Sequence, residues 1–292
     1  MIHKIFSSLF LVFSLISCSE QQLNPEKVNL SNEFKSYWFD GKAEISTYSL
    51  SQLRYREMRS GDAVLIFVTE DFLKKEQVKA NISSEKSESV LKLNRTVNFL
   101  TGIYPYHIMN SAFVSLEEKE SLRKITASIQ EWCGHTYLQL NKKSELKIKR
   151  HSYFEGEADQ ELTFKNALTE AELWSTIRIN PSSLPIGNLN IIPSLDLLQL
   201  NHLRIKPYPA IAKLDLKNNY FTYSLEFQDL NRLLKIKFKN SFPYQIEGWE
   251  EFSLKENIQL SRANRLTTKK ISYWLKNKLG DEKYRDSLLL NP

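Results

Sequence analysis

The sequence predicts an α+β fold that is mainly antiparallel β, with two packed or curved β-sheets, one central helix and a short C-terminal helix. Apolar and polar residues alternate with a period of two over most of the chain, and β-branched and aromatic residues lie between polar turns, as is typical of strands. One segment carries strong helix signals. The chain is 41% hydrophobic and 25% charged, so it is able to bury a core of its own. Its eight glycines are few for this length, which argues against glycine-rich nucleotide loops.

The first residues, MIHKIFSSLFLVFSLISCSE, predict export and a lipid anchor. Lys4 precedes an apolar run, Ile5–Ile16, that has the length of a signal peptide and is too short to span a bilayer as a stable anchor. The letters LISC resemble the lipobox of bacterial lipoproteins, which implies a diacylglyceryl group on Cys18. We expect a signal peptide at 1–17, a tether at 18–35 and attachment to the cell envelope, at the outer membrane. The alternative is an ordinary secretory signal with an incidental cysteine.

Early strands are predicted at Ala43–Tyr48, Ala63–Thr69 and Val90–Phe99, where the alternation is clearest. The polar segment Lys74–Ser89 predicts a loop or a short helix. The aromatic stretch TGIYPYHIMN, Thr101–Asn110, predicts either a pocket wall or a packed turn.

The central helix is predicted over Leu168–Ile179, because Thr169 can act as N-cap with Glu172 three residues later. Two prolines in NPSSLPIG then end the helix and mark the best domain boundary. We therefore expect an N-terminal β-rich domain at 36–180 and a C-terminal domain at 188–292, either separate or packed as one unit.

The C-terminal domain is predicted to be an antiparallel meander. Its strands are Ala210–Leu216, Tyr220–Phe227 and Arg232–Lys239, each with apolar residues on one face and polar residues on the other. The apolar face needs a cover, which is a helix, the first sheet or a ligand. A short helix is predicted over Asp281–Leu290.

The segment IQEWCGHTYLQ raises the question of a functional site. We read Lys124–Leu140 as one long strand that forms a hairpin with Glu145–Glu155. Pairing Leu140 with Leu146 and Leu138 with Ile148 matches apolar residues across the hairpin. The other face of this hairpin would then gather six polar or reactive side chains. They are Glu131, Cys133, His135, His151, Tyr153 and Glu155.

Three interpretations of this face remain open. Glu131, His135, His151 and Glu155 are residue types that bind zinc. Cys133 is alternatively a nucleophile, with His135 or His151 as its base. The third interpretation is an ordinary sheet surface on which Cys133 is a half-buried small hydrophobe and the other five residues at most bind a ligand. Gly134 indicates that something approaches the strand closely, either an aromatic neighbour or a bulge.

The net charge of +6 is spread along the chain, which does not predict nucleic-acid binding. In an envelope compartment it favours anionic lipid or polysaccharide as a counterpart.

Three segments carry a family resemblance: SYWFDGKAEISTYSLSQLRYREMRSGDAVLIFVTEDF, SIQEWCGHTYLQLN and HSYFEGEADQ. They resemble an uncharacterised family of lipoproteins from Bacteroidota, some of which are labelled "septum formation inhibitor Maf". Maf proteins contact phosphates through an N-terminal S-x-S-P-R-R loop, and this chain has no such loop. The resemblance therefore implies a lipoprotein and no particular activity.

Two functions follow as expectations. The first is a non-enzymatic envelope lipoprotein whose curved sheets bind an amphiphile or an envelope protein. The second is a hydrolase that depends on zinc or on the thiol of Cys133.

Overall fold

The computed structural model describes residues 29–118, 122–165 and 167–290. In these residues sixteen strands form one sheet, and all neighbours except β10 and β11 are antiparallel. The strand order is β10-β11-β12-β13-β14-β15-β16-β1-β2-β4-β5-β6-β7-β8-β9, and β3 pairs with β2 beside this path. The predicted antiparallel β fold with few helices is confirmed, whereas the predicted pair of sheets is wrong, since β16 joins β1 and makes the sheet continuous.

The strands before the central helix are β1 (Ala43–Arg54), β2 (Glu57–Leu73), β3 (Val78–Lys79), β4 (Ser87–Thr101), β5 (Tyr104–Ser115), β6 (Leu122–Glu131), β7 (Gly134–Lys142), β8 (Leu146–His151), β9 (Gln160–Phe164) and β10 (Leu168–Thr169). The later strands are β11 (Gly187–Ile192), β12 (Tyr208–Lys217), β13 (Tyr220–Phe227), β14 (Arg232–Lys239), β15 (Ile246–Ser253) and β16 (Gln259–Ile271). The helices are α1 (Asn32–Trp38), α2 (Glu170–Ile179), α3 (Leu195–Leu200) and α4 (Tyr284–Ser287).

The sheet curves around a single large core. Ile148 of β8 and Leu225 of β13 lie far apart in the strand order, yet they belong to one cluster of buried side chains. Trp174 of α2 packs edge-on against Trp249 of β15, with ring centroids 5.3 Å apart. The helix α2 is therefore the cover for the concave apolar face, and both predicted domains contribute to the same sheet and core.

The α2 helix begins where the sequence predicts it. The backbone N–H of Thr169 donates to the Glu172 carboxylate at 2.7 Å, which is the reciprocal half of a capping box. Glu170 in the first turn and Arg178 in the last turn also complement the helix dipole. The sequence was sufficient to predict the start of α2, because the capping and dipole-complementing residues lie within one turn of the helix ends.

Buried ion pairs hold both ends of α2 against the sheet. Arg178 donates to both oxygens of Glu44 on β1, at 2.6 and 2.7 Å, and both side chains are at most 1% exposed. At the other end Glu170 accepts from Arg232 of β14 at 2.6 and 3.0 Å. Since a buried charge is tolerated only when it is paired, these contacts fix the orientation of α2 inside the sheet.

The C-terminal segment returns to the convex side of the sheet. A 3-10 turn at Asp281–Lys283 and the short α4 replace the predicted helix over Asp281–Leu290. Leu288 packs against a small cluster that includes Ala43 and Val64, and its carbonyl accepts from Thr47 at 2.7 Å. This contact covers part of the outer face of β1 and β2.

The prediction of one long strand over Lys124–Leu140 is wrong. The chain turns at Trp132–Cys133, and Glu131 of β6 pairs with Gly134 of β7. From Ile125 onward the buried positions of β6 are odd-numbered, whereas those of β7 are even-numbered. A single strand would have placed these two sets of apolar residues on opposite faces of the sheet. The switch from odd-numbered to even-numbered apolar positions therefore indicates a turn between them.

The predicted pairing of β7 with β8 is also wrong, by two residues. Leu140 lies opposite Ile148, and Leu138 lies opposite Arg150. The connecting turn is shorter than predicted, since Lys142 already pairs with Leu146. Because a shift of two keeps every side chain on its face, the predicted apolar residues still face the core.

Antiparallel alternation places the β1–β2, β4–β5 and β6–β7 turns and the β8–β9 loop at one end of the sheet, together with the β13–β14 and β15–β16 turns. We call this the hairpin end. The β14–β15 loop, the C-terminal end of α2 and α1 lie toward the opposite end, as the contacts of Arg178 with Glu44 and Pro243 show.

Candidate functional site

A groove of about 630 Å³ runs along one side of α2. It lies within the size range of small-molecule pockets, which are concave and mostly apolar. We call it the α2 groove. It is bounded by α1, α2, β10, the end of β5 and the β14–β15 loop. Its lining residues are Asn29, Leu30, Ser31, Glu33, Phe34, Ser115, Glu118, Leu168, Glu172, Leu173, Thr176, Ile179, Asn180, Ser183, Pro185, Phe242 and Tyr244.

Apolar side chains form much of the α2 groove. Phe34 packs against Phe242, with ring centroids 6.2 Å apart, and Phe242 packs edge-on against Tyr244 at 5.9 Å. Leu173 and Ile179 of α2 add aliphatic surface. This wall is suited to an alkyl chain or another apolar group.

The polar part of the α2 groove is acidic. Glu33, Glu118 and Glu172 line it, whereas none of its described lining residues is lysine or arginine. Glu118 pairs with Arg123, and Glu172 accepts from the Thr169 backbone. The described lining residues therefore offer no cation to an anionic head group.

The described chain begins at this groove. Asn29 and Leu30 line it directly. Cys18, the predicted lipidation residue, lies outside the described residues. Among the described helices, none is long and apolar enough to cross a membrane.

The β6–β7 turn places the predicted site residues differently from the expected hairpin face. The Cys133 backbone N–H donates to Glu131 at 2.8 Å, and Cys133 is exposed. His135 is exposed and lies opposite Gln130. Cys133 is thus neither half-buried nor paired with a histidine across the strands.

The remaining predicted site residues lie on β8 and in the β8–β9 loop, apart from Cys133 and His135. His151 lies opposite Tyr137, and its Nδ1 is 3.2 Å from Asp159. Tyr153 is 78% exposed and Glu155 is exposed in the β8–β9 loop. In the part of the chain that the structure describes, no three His, Cys, Asp or Glu residues are placed to hold a metal ion.

The local electrostatics keep the Cys133 thiol protonated. A hydrogen bond with the Glu131 carboxylate, with a smaller contribution from its charge, raises the pKa of Cys133 above its ordinary value. A catalytic cysteine requires the opposite shift, because the thiolate is the nucleophile.

A cluster of tyrosines beside this turn was not predicted as a unit. Arg54 donates to the Tyr106 hydroxyl at 3.3 and 3.4 Å, and Tyr55 and Tyr106 share a hydrogen bond of 2.9 Å. Hydrogen bonds from Tyr104 and Tyr106 lower the pKa of Tyr55, whereas burial raises the pKa of Tyr106. The stretch Thr101–Asn110 is thus an exposed turn at Gly102 and Ile103 followed by strand β5, and not the packed turn that was one of its two predicted outcomes.

A buried glutamate joins the β8–β9 loop to α3. Glu157 accepts from Ser152 at 2.6 Å, from Gln199, and from His202 at 2.7 Å. Burial acts to raise the pKa of Glu157, but these three hydrogen bonds and the charge of Arg150 outweigh it and lower the pKa. The sequence gives no local signal for this network, because its members come from two segments that lie about forty residues apart.

Comparisons with known proteins return a distant structural similarity. No protein-family model and no curated protein matches the chain. Among solved structures, the chain is similar to a β-barrel-like protein of the domain of unknown function DUF1849 from Brucella abortus, with 6% sequence identity and a TM-score of 0.46. The match covers 78% of this chain and 98% of that chain. The resemblance to Bacteroidota lipoproteins stays a prediction.

Proposed function

We propose that the protein is a non-enzymatic envelope lipoprotein, anchored through Cys18, that binds an amphiphile in the α2 groove. The observation that carries the proposal is the groove itself, which is large enough for a ligand, apolar on its walls and acidic on its polar side. A curved sheet closed by one helix is a suitable scaffold, since rigid elements surround the site.

The lining defines the chemical class of the ligand. An alkyl or aromatic portion would lie against Phe34, Phe242 and Leu173, where it leaves water. The head group would lie near Glu33, which favours a neutral or cationic group over a carboxylate or phosphate. We therefore expect amine-bearing or uncharged amphiphiles to bind more tightly than anionic ones.

The lipid anchor is the second part of the proposal. Asn29 lies eleven positions after Cys18, and an extended chain of eleven residue steps reaches at most about 40 Å. A lipidated Cys18 would therefore hold the groove within roughly one domain diameter of a membrane. The resemblance to Bacteroidota lipoproteins supports this arrangement, at the outer membrane.

The arrangement of the described residues gives no support to the expected hydrolase. The hydrolase requires Glu131, His135, His151 and Glu155 to surround one ion, or Cys133 to contact a basic imidazole. No contact of either kind joins these described residues.

Filling the groove tests ligand binding. Thr176 is half-buried on the groove side of α2, so Thr176→Trp is expected to occupy the groove and weaken binding of a long-chain alkylamine at least tenfold. Titration calorimetry measures the affinity. Thr163→Trp, on the exposed side of β9 and outside the groove lining, is the matched control. Equal affinity of both variants would disprove the groove as the binding site.

Replacing the predicted lipidation residue tests the anchor. Cys18→Ser is expected to let a detergent-free wash release the protein from membranes, because firm attachment needs the acyl chains, each methylene contributing about 0.8 kcal/mol. Fractionation with immunodetection measures this, and Cys133→Ser controls for loss of a thiol. A Cys18→Ser protein that still requires detergent for release contradicts the lipobox interpretation.

A further inference from the structure

Apolar side chains project from the hairpin end of the sheet. Ile103 is 83% exposed in the β4–β5 turn, and Trp132 is 69% exposed in the β6–β7 turn. Tyr55 in the β1–β2 turn and Tyr153 in the β8–β9 loop are also largely exposed. Together with Leu100 and Tyr104 they form what we call the aromatic rim.

Ring and hydroxyl contacts join the four turns into one surface. The Tyr104 hydroxyl donates to Tyr55 at 3.3 Å, and the Tyr104 ring stacks on Trp132 with centroids 6.2 Å apart. Tyr153 packs over Gly134, two residues after Trp132. The rim is thus a connected set of side chains held in place by a rigid sheet.

The backbone beneath the rim is already hydrogen-bonded. The β4–β5 ladder extends to the pair Thr101–Tyr104, and the β6–β7 ladder extends to the pair Glu131–Gly134. Strand ends paired in this way can enter an apolar layer without leaving many backbone donors unpaired. Flexible loops lack this property.

The tip of the rim is uncharged, as insertion into a lipid surface requires, and exposed residues of both charge signs flank it. The stretch from Phe99 to Tyr106 contains no charged residue, so the most exposed tip enters an apolar layer without desolvating an ion. Arg56 is exposed beside Tyr55, and the nearby Glu131 carboxylate accepts from the Cys133 backbone. Tryptophan and tyrosine at the edge, with aliphatic residues at the tip, are the residue types that partition into membrane interfaces.

We propose that the aromatic rim inserts into the interfacial layer of a lipid bilayer, as a membrane contact separate from Cys18. It is also separate from the α2 groove, whose Phe242 and Tyr244 lie at the opposite end of the sheet. The protein would then have a groove and a membrane-contacting end on one rigid body.

Vesicle binding tests the rim in a Cys18→Ser background, where no acyl chain contributes. Ile103→Asp is expected to lower the partition coefficient onto phosphatidylglycerol–phosphatidylcholine vesicles at least tenfold, because it removes an aliphatic side chain from the inserted tip. Ile82→Asp is the matched control, since Ile82 is 82% exposed in the β3–β4 connection at the opposite end. Co-sedimentation measures both, and unchanged melting midpoints show that both variants fold.

Tryptophan quenching reports the insertion directly. Lipids brominated near the head group are expected to quench the fluorescence of the Cys18→Ser protein, and Trp132→Phe is expected to remove most of that quenching. Trp274, 43% exposed and outside the rim, supplies the control variant Trp274→Phe. Quenching that survives Trp132→Phe, or equal binding of the Ile103 and Ile82 variants, overturns the proposal. The proposal is also overturned if sedimentation velocity shows a dimer that Ile103→Asp converts to a monomer, because a second copy of the chain would then cover the rim.

Discussion

Gly134 is the residue that shapes the β6–β7 turn. A Cβ at this position would lie 3.1 Å from the Phe154 ring and 3.3 Å from the Tyr153 ring. Glycine therefore lets the two rings approach the turn, which confirms the predicted aromatic neighbour. The same turn exposes Cys133 and Trp132, so one glycine influences both the thiol and the aromatic rim.

At Cys133, we expect rapid modification in the native state, since the thiol is exposed. Glu131→Gln removes the carboxylate that raises the pKa of Cys133, so more thiolate forms at a given pH. The rate of iodoacetamide labelling at pH 7.5 is expected to increase several-fold. Glu155→Gln controls for loss of an exposed carboxylate. A thiol that reacts only after denaturation would contradict the exposed turn.

At the scale of elements, α2 is held by charge as well as by packing. The Arg178 guanidinium contacts Glu44 and also lies over the Trp38 ring, 5.0 Å from its centroid. Burial acts to raise the pKa of Glu44, but the Arg178 charge and hydrogen bonds outweigh it and lower the pKa. The position of α2, and with it one wall of the groove, depends on this pair.

Removing one partner of the pair is expected to be costly. Arg178→Met leaves Glu44 buried without a counter-charge and should lower the free energy of unfolding by about 3–5 kcal/mol. Chemical denaturation measures it. Arg262→Met breaks an exposed pair with Glu250 and is expected to cost about 0–1 kcal/mol. A double variant, Glu44→Leu with Arg178→Met, should be more stable than Arg178→Met alone, because it removes the unpaired buried carboxylate. A double variant less stable than Arg178→Met would show that the unpaired charge does not cause the destabilisation.

At the scale of the whole molecule, buried carboxylates make stability depend on pH. The pKa values of Glu44, Glu88 and Glu157 are all lowered, because hydrogen bonds and arginine charges outweigh burial. A glutamate whose pKa is lowered in the folded state stabilises the protein at pH values above its ordinary pKa of 4.5. This stabilisation is lost as the pH falls through the folded-state pKa. The protein is therefore expected to unfold in acid.

The pH dependence is testable at Glu157. The free energy of unfolding should be flat near neutrality and fall below about pH 4.5, since the unfolded chain then binds more protons. Glu157→Gln is expected to lower stability at pH 7 and to reduce this fall. Denaturation curves between pH 3 and pH 7 measure both effects. An unchanged slope would mean that the Ser152, Gln199 and His202 contacts do not favour the carboxylate.

The candidate sites were predictable only in part. Cys133 was singled out for its reactive thiol and Gly134 as a position that another group approaches closely, but their turn was not recognised. Tyr55 and Tyr104 meet because β1–β2 and β4–β5 turns reach the same end of the sheet, and no local pattern encodes that meeting. The α2 groove likewise combines segments that begin at Asn29 and end at Tyr244.

Local features of this protein were predictable from the amino-acid sequence. These are the start of α2 at its Thr169 cap, the three meander strands, and the buried faces of β7 and β8, since caps and alternation act over a few residues. The single sheet, the ion pairs of Arg178 and Arg232, the groove and the rim became visible only in the folded chain. They depend on residues that are distant in sequence: β1 pairs with β16 through partners such as Ala43 and Ile271, and such contacts form only when the whole chain packs around one core.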